Sequence, residues 1–150
     1  MVADFRLISL DLEGRPTAPV GAMPPALEAM NERTRRFLAH AGYRVPWVGY
    51  VAVASHAPVG GGAFVGPPAY GRVEIAYFTL PQHQRLGYAA MTAGTLVEIA
   101  RAADPMIALV AKTEPRENPS TRILARLGFR GPRETTDEEI GLAWVWRLDP

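Results

Sequence analysis

Apolar and polar positions change rhythm several times along the chain. FRLISLDL (5–12) alternates the two and predicts a strand. GRPTAPVGAMPP (14–25) interrupts the pattern with Pro and Gly and reads as a loop. In PALEAMNERTRRFLAHAG (25–42), Leu27, Met30, Phe37 and Leu38 recur at helical spacing. Arg33, Arg35 and Arg36 lie between them on a wet face, and Gly42 is a C-terminal stop. Three strands follow at 46–54, 60–65 and 72–80, separated by the Gly- and Pro-rich turns SHAPVGGG and GPPAYG. The run 84–102 predicts a helix with Leu86, Ala90, Ala93, Val97 and Ala100 on one face. MIALVAKT (106–113) is almost continuously apolar, which predicts a strand covered on both faces. NPSTRILARLG (118–128) predicts a short helix with Asn118 as N-cap, Pro119 at the first helical position and Gly128 at the left-handed stop. FRGPRETT and IGLAWVWRL predict a closing hairpin, with the acidic run 137–139 as its solvated turn.

This order of elements predicts an α+β, or mixed α/β, fold with a parallel strand pair joined by the 84–102 helix. No repeat, linker or low-complexity stretch divides the chain, so residues 1–150 read as one domain.

Composition narrows the chemistry. The net charge of +1 argues for neither a polyanion nor a membrane surface, so neither nucleic acid nor membrane is expected as a partner. The absence of cysteine excludes disulfides, thiolate nucleophiles and zinc knuckles. His40 and His56 are isolated and His83 lies in a solvated loop, so no metal site is expected. The N-terminus, MVADFRLISLDLEGRP, lacks the apolar stretch of a signal peptide, and the expected location is cytoplasmic.

One junction carries candidate chemistry. QHQRLGYAA (82–90) joins the 72–80 strand to the 84–102 helix. A helix start leaves N–H groups without partners, and with the helix dipole these form an anion site. Gly87 removes the Cβ that would block close approach, Ala89 stays small, and Arg85 adds a positive charge. The turn therefore suits a phosphate or pyrophosphate; alternatively Gly87 only relieves helix packing. It is not a P-loop, because no Lys followed by a hydroxyl residue is present. Nor is it a dinucleotide fingerprint, because it has a single glycine.

EIAYFTLPQHQRLGYAAMTAG (74–94) resembles the acetyl-CoA-binding motif of the GNAT superfamily of N-acetyltransferases, Q/R-x-x-G-x-G/A, with Gln84, Gly87 and Ala89 at the matching positions. VAKTEPRENPSTRILARLGF (110–129) resembles the later motif of the same family. It is close to a bacterial subgroup bearing A-H-T-L-P-E, which includes ribosomal-protein acetyltransferases. Thr113, Pro115, Asn118, Ser120, Thr121, Arg122, Gly128 and Phe129 match, whereas Lys112, Glu114 and Arg116 replace the subgroup's His, Leu and Glu.

The resemblance implies a mostly antiparallel twisted sheet, flanked by helices and splayed open between its fourth and fifth strands. It implies acetyl-CoA as co-substrate, with the pyrophosphate on the N–H groups of Arg85, Leu86, Gly87, Tyr88, Ala89 and Ala90, which follow Gln84. The pantetheine arm would pair with main-chain groups of Phe78 and Leu80. An N–H in the stretch Phe78, Thr79, Leu80 would face the acetyl oxygen. Asn118 would hold pantetheine or an ordered water, or act only as the helix cap. Glu74, the only acid in its strand, is the candidate base; the alternative is a solvated edge carboxylate. The Tyr that many members use as general acid is Leu124 here. Ser120 is the remaining candidate acid, through a water, with a local capping role as the alternative. Tyr77 shares a strand face with Ile75 and reads as core. Trp144 and Trp146 share a face and either pack on a helix or wall the acceptor pocket, as do Trp47 and Tyr50. That pocket would be built by the first helix, its loop and the last hairpin.

The expected activity is acetyl transfer to a primary amine: a small molecule, a peptide N-terminus or a lysine. A CoA-binding sensor of the same fold is the alternative, favoured by Leu124, and a phosphate-binding domain of unrelated fold is a third reading. Dimers are common in the family, so a homodimer is admitted.

Overall fold

The computed structural model describes residues 4–150. Seven strands form one sheet: β1 (Arg6–Ser9), β2 (Gly49–Ala54), β3 (Ala57–Phe64), β4 (Arg72–Thr79), β5 (Ala108–Thr113), β6 (Arg130–Asp137) and β7 (Gly141–Leu148). Their order is β1-β2-β3-β4-β5-β7-β6. Every neighbouring pair is antiparallel except β4 and β5. A parallel pair needs a crossover, supplied here by α2 (Tyr88–Ala103); α1 (Pro25–Ala41) joins β1 to β2 and α3 (Pro119–Arg126) joins β5 to β6.

Consecutive glycines in β3 show how the layers are stacked. A Cβ on Gly61 would approach Leu27 of α1, whereas one on Gly62 would meet Thr92 and Leu96 of α2. Alternate side chains leave a strand on opposite faces, so α1 and α2 cover opposite sides of the sheet. The main core lies on the α2 and α3 side, where Leu96, Ala100 and Leu124 pack with Val73, Ile75, Leu109 and Ala111. β2, paired to β1 on one side and β3 on the other, is buried along its whole length.

Several boundaries differ from the expectations, each for a local reason. The first strand stops at Ser9, and Leu10 makes only an isolated bridge to Pro16. α2 begins at Tyr88 rather than 84, because Gly87 at φ 86° is its left-handed N-cap. Leu86 therefore precedes the helix and is exposed, and the buried stripe of α2 is Thr92, Ala93, Leu96 and Ala100. β5 is not covered on both faces: Leu109, Ala111 and Thr113 are buried, whereas Lys112 is exposed. Phe37 of α1 is 45% exposed, and Met30 is only half-buried. Among the described residues no helix is long and apolar enough to cross a membrane.

The β4–β5 ladder runs from Arg72↔Ala108 to Ile75↔Ala111 and then ends. β4 continues to Thr79 along β3, and β5 continues to Thr113 along β7. The sheet is thus split between two strands that each remain paired on their outer side. β3 holds β4 closely at this point: a Cβ on Gly60 would overlap the Phe78 carbonyl oxygen. Gly60→Ala is accordingly expected to cost about 1–3 kcal/mol by overpacking, read as a lowered urea midpoint.

Candidate active site

Main-chain parity identifies the groups that face the split. The Leu80 N–H donates to Val59 O, and Glu74 O accepts from the Val65 N–H, so the even-numbered residues of β4 are spent on β3. Tyr77 and Thr79, of the opposite parity, turn their main-chain groups toward the gap. The expectation that Phe78 and Leu80 supply the pairing groups is therefore corrected to their odd-numbered neighbours: Leu80 is already bonded, and Phe78 sits in the β3 ladder opposite Gly61. Of the groups facing the gap, Thr79 O takes a hydrogen bond from Gln84 Nε2 (3.3 Å), which ties the following turn to the strand end.

That turn runs from a single 3-10 turn at Pro81–His83 to the start of α2. Arg85 (φ 67°) and Gly87 (φ 86°) are both left-handed. A Cβ on Gly87 would meet nothing within 4 Å, so the backbone angle, not crowding, calls for glycine there. No side chain caps α2, and its first N–H to find a helical acceptor is that of Met91, on Gly87 O (3.1 Å). The N–H groups of Tyr88, Ala89 and Ala90 are left for solvent or an anion. Arg85 is exposed beside them. Tyr88 itself is half-buried, its ring stacked on Phe5 (centroids 6.2 Å apart) and edge-on to His83 (6.3 Å). His83 is thus packed, not simply solvated as expected.

On the α1 face the split opens into a cavity of about 630 Å³. Leu27, Met30, Phe37, Tyr50 and Phe64 form an apolar wall; Glu74, Lys112 and residues 137–139 of the β6–β7 turn form a charged one. Arg33, expected on a wet face, also lines it. Lys112 Nζ stands 3.7 Å from Glu74 Oε1 and 3.1 Å from Asp137 Oδ2, linking β4, β5 and the hairpin turn. Asp137 is no free turn residue, since its Oδ1 accepts from the N–H groups of Glu139 (2.8 Å) and Ile140 (3.2 Å). Burial lifts the Glu74 carboxyl above the ordinary carboxylate range; Lys112 opposes that rise and Asp137 adds to it. The bond to Asp137 raises Lys112 in turn.

On the opposite face, two buried side-chain oxygens lack hydrogen-bond partners among the described residues: Tyr77 Oη and Thr79 Oγ1. An unmet buried hydroxyl costs about 1–3 kcal/mol, and both lie on the stretch of β4 that borders the split. Desolvation raises the Tyr77 pKa, and the neighbouring Ser120 hydroxyl works against that rise. Ser120 does not cap its helix. The capping box is completed by Thr121, whose N–H donates to Asn118 Oδ1 and whose Oγ1 accepts from the Asn118 N–H, each at 3.0 Å. Asn118 is therefore the cap, and Leu124 is fully buried.

A split sheet with free helix-start amides at its mouth can hold an extended carrier bearing a pyrophosphate, with a titratable carboxylate on the far side. The model of an acetyltransferase (GNAT) domain matches residues 4–130. The chain belongs to the GNAT acetyltransferases. No curated protein sequence matches it. Solved structures agree on the fold. RimL, a ribosomal L7/L12 alpha-N-protein acetyltransferase in complex with coenzyme A, superposes with a TM-score of 0.71 at 12% identity, over 97% of this chain and 93% of that one. A GNAT-family acetyltransferase from Bacillus anthracis gives 0.66 at 14%, over 99% and 96%. A Salmonella typhimurium yncA structure with acetyl-CoA gives 0.64 at 15%, over 98% and 94%. The reading as a phosphate-binding domain of unrelated fold is set aside.

Within the GNAT frame, the cavity side of the split collects Glu74, and the turn collects Gln84, Arg85, Gly87, Tyr88, Ala89 and Ala90. Leu86 is 61% exposed at the turn's edge. Ser120 lies across the sheet from Glu74. Trp144 and Trp146 pack with the core on the α3 side, where Trp146 Nε1 donates to the buried Thr113 Oγ1 (3.1 Å); Trp47 packs edge-on against Phe64. Three participants are not legible as such in the sequence. Lys112 is the only charge in an apolar strand, as Glu74 is the only acid in its own, and that parallel is the one available signal. Asp137 and Tyr77 carry none, because a hairpin contact and an unpartnered hydroxyl are tertiary facts. Among the described residues no group of His, Cys, Asp and Glu could hold a metal.

A carboxyl whose folded pKa lies above its unfolded value adds stability that is fully present below the unfolded pKa. That stability is lost as pH rises through the folded one. Glu74→Gln is thus expected to gain stability relative to the parent as pH rises from about 4 through the raised Glu74 pKa, read from denaturant midpoints at each pH. Lys112→Met should raise the Glu74 pKa further, seen by carboxyl NMR titration.

Proposed function

We propose that this GNAT domain transfers the acetyl group of acetyl-CoA to a primary amine held in the cavity beside Glu74. The observation that carries the reading is the alignment of the free α2 amides with the gap between β4 and β5. The unbonded hydroxyls of Tyr77 and Thr79 support it, being groups that a ligand in the gap would satisfy. The pyrophosphate sits on the N–H groups of Tyr88, Ala89 and Ala90 with Arg85 alongside, as charge-assisted hydrogen bonds favour. The pantetheine runs down the split past the main chain of Thr79 and Tyr77, and a gap-facing N–H takes the developing oxyanion. Leu80 contributes burial, not pairing, and Asn118 orders the start of α3.

Glu74 acts as general base. Its raised pKa brings it toward the pH at which an amine must be deprotonated, while Lys112 limits that rise. The acceptor nitrogen loses a proton to Glu74 and attacks the thioester carbon. The tetrahedral intermediate then collapses with loss of the thiolate, which takes up a proton to leave as CoA-SH. The apolar wall of Leu27, Met30 and Phe37 suits an acceptor with an apolar body, with a peptide N-terminus, a lysine and a small amine all candidates. A second reading, a sensor that binds acyl-CoA without turnover, is favoured by the buried Leu124.

The test is a thiol-release screen with acetyl-CoA and a panel of amines. The parent protein is expected to release thiol, and Glu74→Gln to lose on the order of 10²–10⁴-fold in kcat with coenzyme binding intact by calorimetry. An unaltered rate in that variant would remove Glu74 from the mechanism. Binding without release for every amine would favour the sensor. Gly87→Glu is expected to abolish coenzyme binding by setting a carboxylate against the diphosphate. Gly87→Ala, the uncharged control, should weaken it only through the strain at φ 86°.

A further inference from the structure

We infer that Tyr77 is the proton donor to the departing thiolate of coenzyme A, filling the role left open by Leu124. This rests on the acetyltransferase reading and extends it to the leaving group. Tyr77 is two residues beyond Ile75, the last β4 residue in the β4–β5 ladder, and lies on the same face. Its main chain borders the gap, and its side chain leaves the sheet toward α2 and α3, packed against the core. Glu74 points the other way, into the cavity. A thioester lying in the gap therefore has the acceptor amine and Glu74 on one side. Its sulfur faces the other side, where Tyr77 stands. No other core phenol serves: Leu124 occupies the usual position and is fully buried. The Tyr50 hydroxyl donates to Pro46 O (2.7 Å), and the Tyr43 hydroxyl to Leu10 O (3.0 Å).

Among the described residues, the Tyr77 hydroxyl is the one buried phenol without a hydrogen-bond partner, and the Ser120 hydroxyl is the neighbouring group that acts on its ionisation. Desolvation keeps it protonated, as a donor must be before the reaction. Ser120, released from capping by Thr121, lies beside it as a positioning residue and a route for reprotonation. In the step itself the amine nitrogen forms a bond to the carbonyl carbon, and the C=O electrons move to oxygen. Collapse restores the carbonyl, and the C–S bond breaks with its electron pair going to sulfur. The Tyr77 Oη–H proton passes to that sulfur. The tyrosinate regains a proton through Ser120 and water, balancing the one Glu74 took from the amine.

Tyr77→Phe deletes a buried hydroxyl that has no hydrogen-bond partner, so the folded state should keep or raise its melting temperature, and a merely structural role predicts no effect on turnover. The expected result is a loss of kcat on the order of 10²-fold with the KM for acetyl-CoA unchanged, and a smaller loss in Ser120→Ala. A binding readout needs no acceptor. The ring-carbon NMR signal of Tyr77, assigned by its disappearance in Tyr77→Phe, should move on addition of coenzyme A and stay in place with desulfo-coenzyme A, which lacks the sulfur. A parental kcat in Tyr77→Phe, or a Tyr77 signal that responds alike to both ligands, overturns the donor role alone. Absence of thiol release by the parent with every amine overturns the acetyltransferase reading and the donor role together, even where the sulfur-dependent shift is found.

Discussion

Backbone hydrogen bonding at one place in the sheet sets the terms for the rest of the molecule. Main-chain N–H and C=O groups are obligatory hydrogen-bonding groups, and leaving them unmet in a protein interior is costly. β4 and β5 honour that rule for four residue pairs and then part, after Ile75 and Ala111. β4 stays bonded to β3, and β5 to β7, so neither strand can swing back to close the gap without breaking an intact ladder. The result is a slot with polar walls in an otherwise apolar sheet. α2 starts at one end of the slot, the cavity opens at its base, and two hydroxyls with no partner lie along it. A protein that keeps such a slot in its folded state is shaped to have it filled.

Charge is concentrated on one side of that slot. Glu74, Lys112 and Asp137 come from three separate elements, and Lys112 is the member that touches both carboxylates. Such partly exposed pairs contribute little to stability. Their effect is on ionisation: burial raises Glu74, and the lysine limits that rise. A carboxylate held between these two influences fits the general-base role proposed for it.

The order of elements, the parallel crossover and the turn at 82–90 are all legible in the sequence. They rest on local signals: hydrophobic period, Gly and Pro punctuation, and helix ends. NPSTRILARLG shows both the reach and the limit of such signals. Asn118 is legible as a cap, yet which hydroxyl completes the capping box depends on backbone geometry, and Thr121 holds that place instead of Ser120. The β4 register shows the same limit. Whether Phe78 or Tyr77 turns its amide to the gap depends on which side β3 occupies, a question of pairing that one strand's composition cannot answer. Lys112 and Asp137 are invisible as a pair because they lie 25 positions apart and meet only through the β6–β7 turn.

The left-handed pair in the turn before α2 has a kinetic meaning. Arg85 holds φ 67°, a conformation that costs a non-glycine residue roughly 1–2 kcal/mol, and the folding reaction has already met that cost. A loop set in advance needs no ordering when a diphosphate arrives, so affinity is not lost to immobilising it. Under the proposed function, a spent carrier would leave and a fresh one enter over an unchanged cradle, with no refolding of the turn between them.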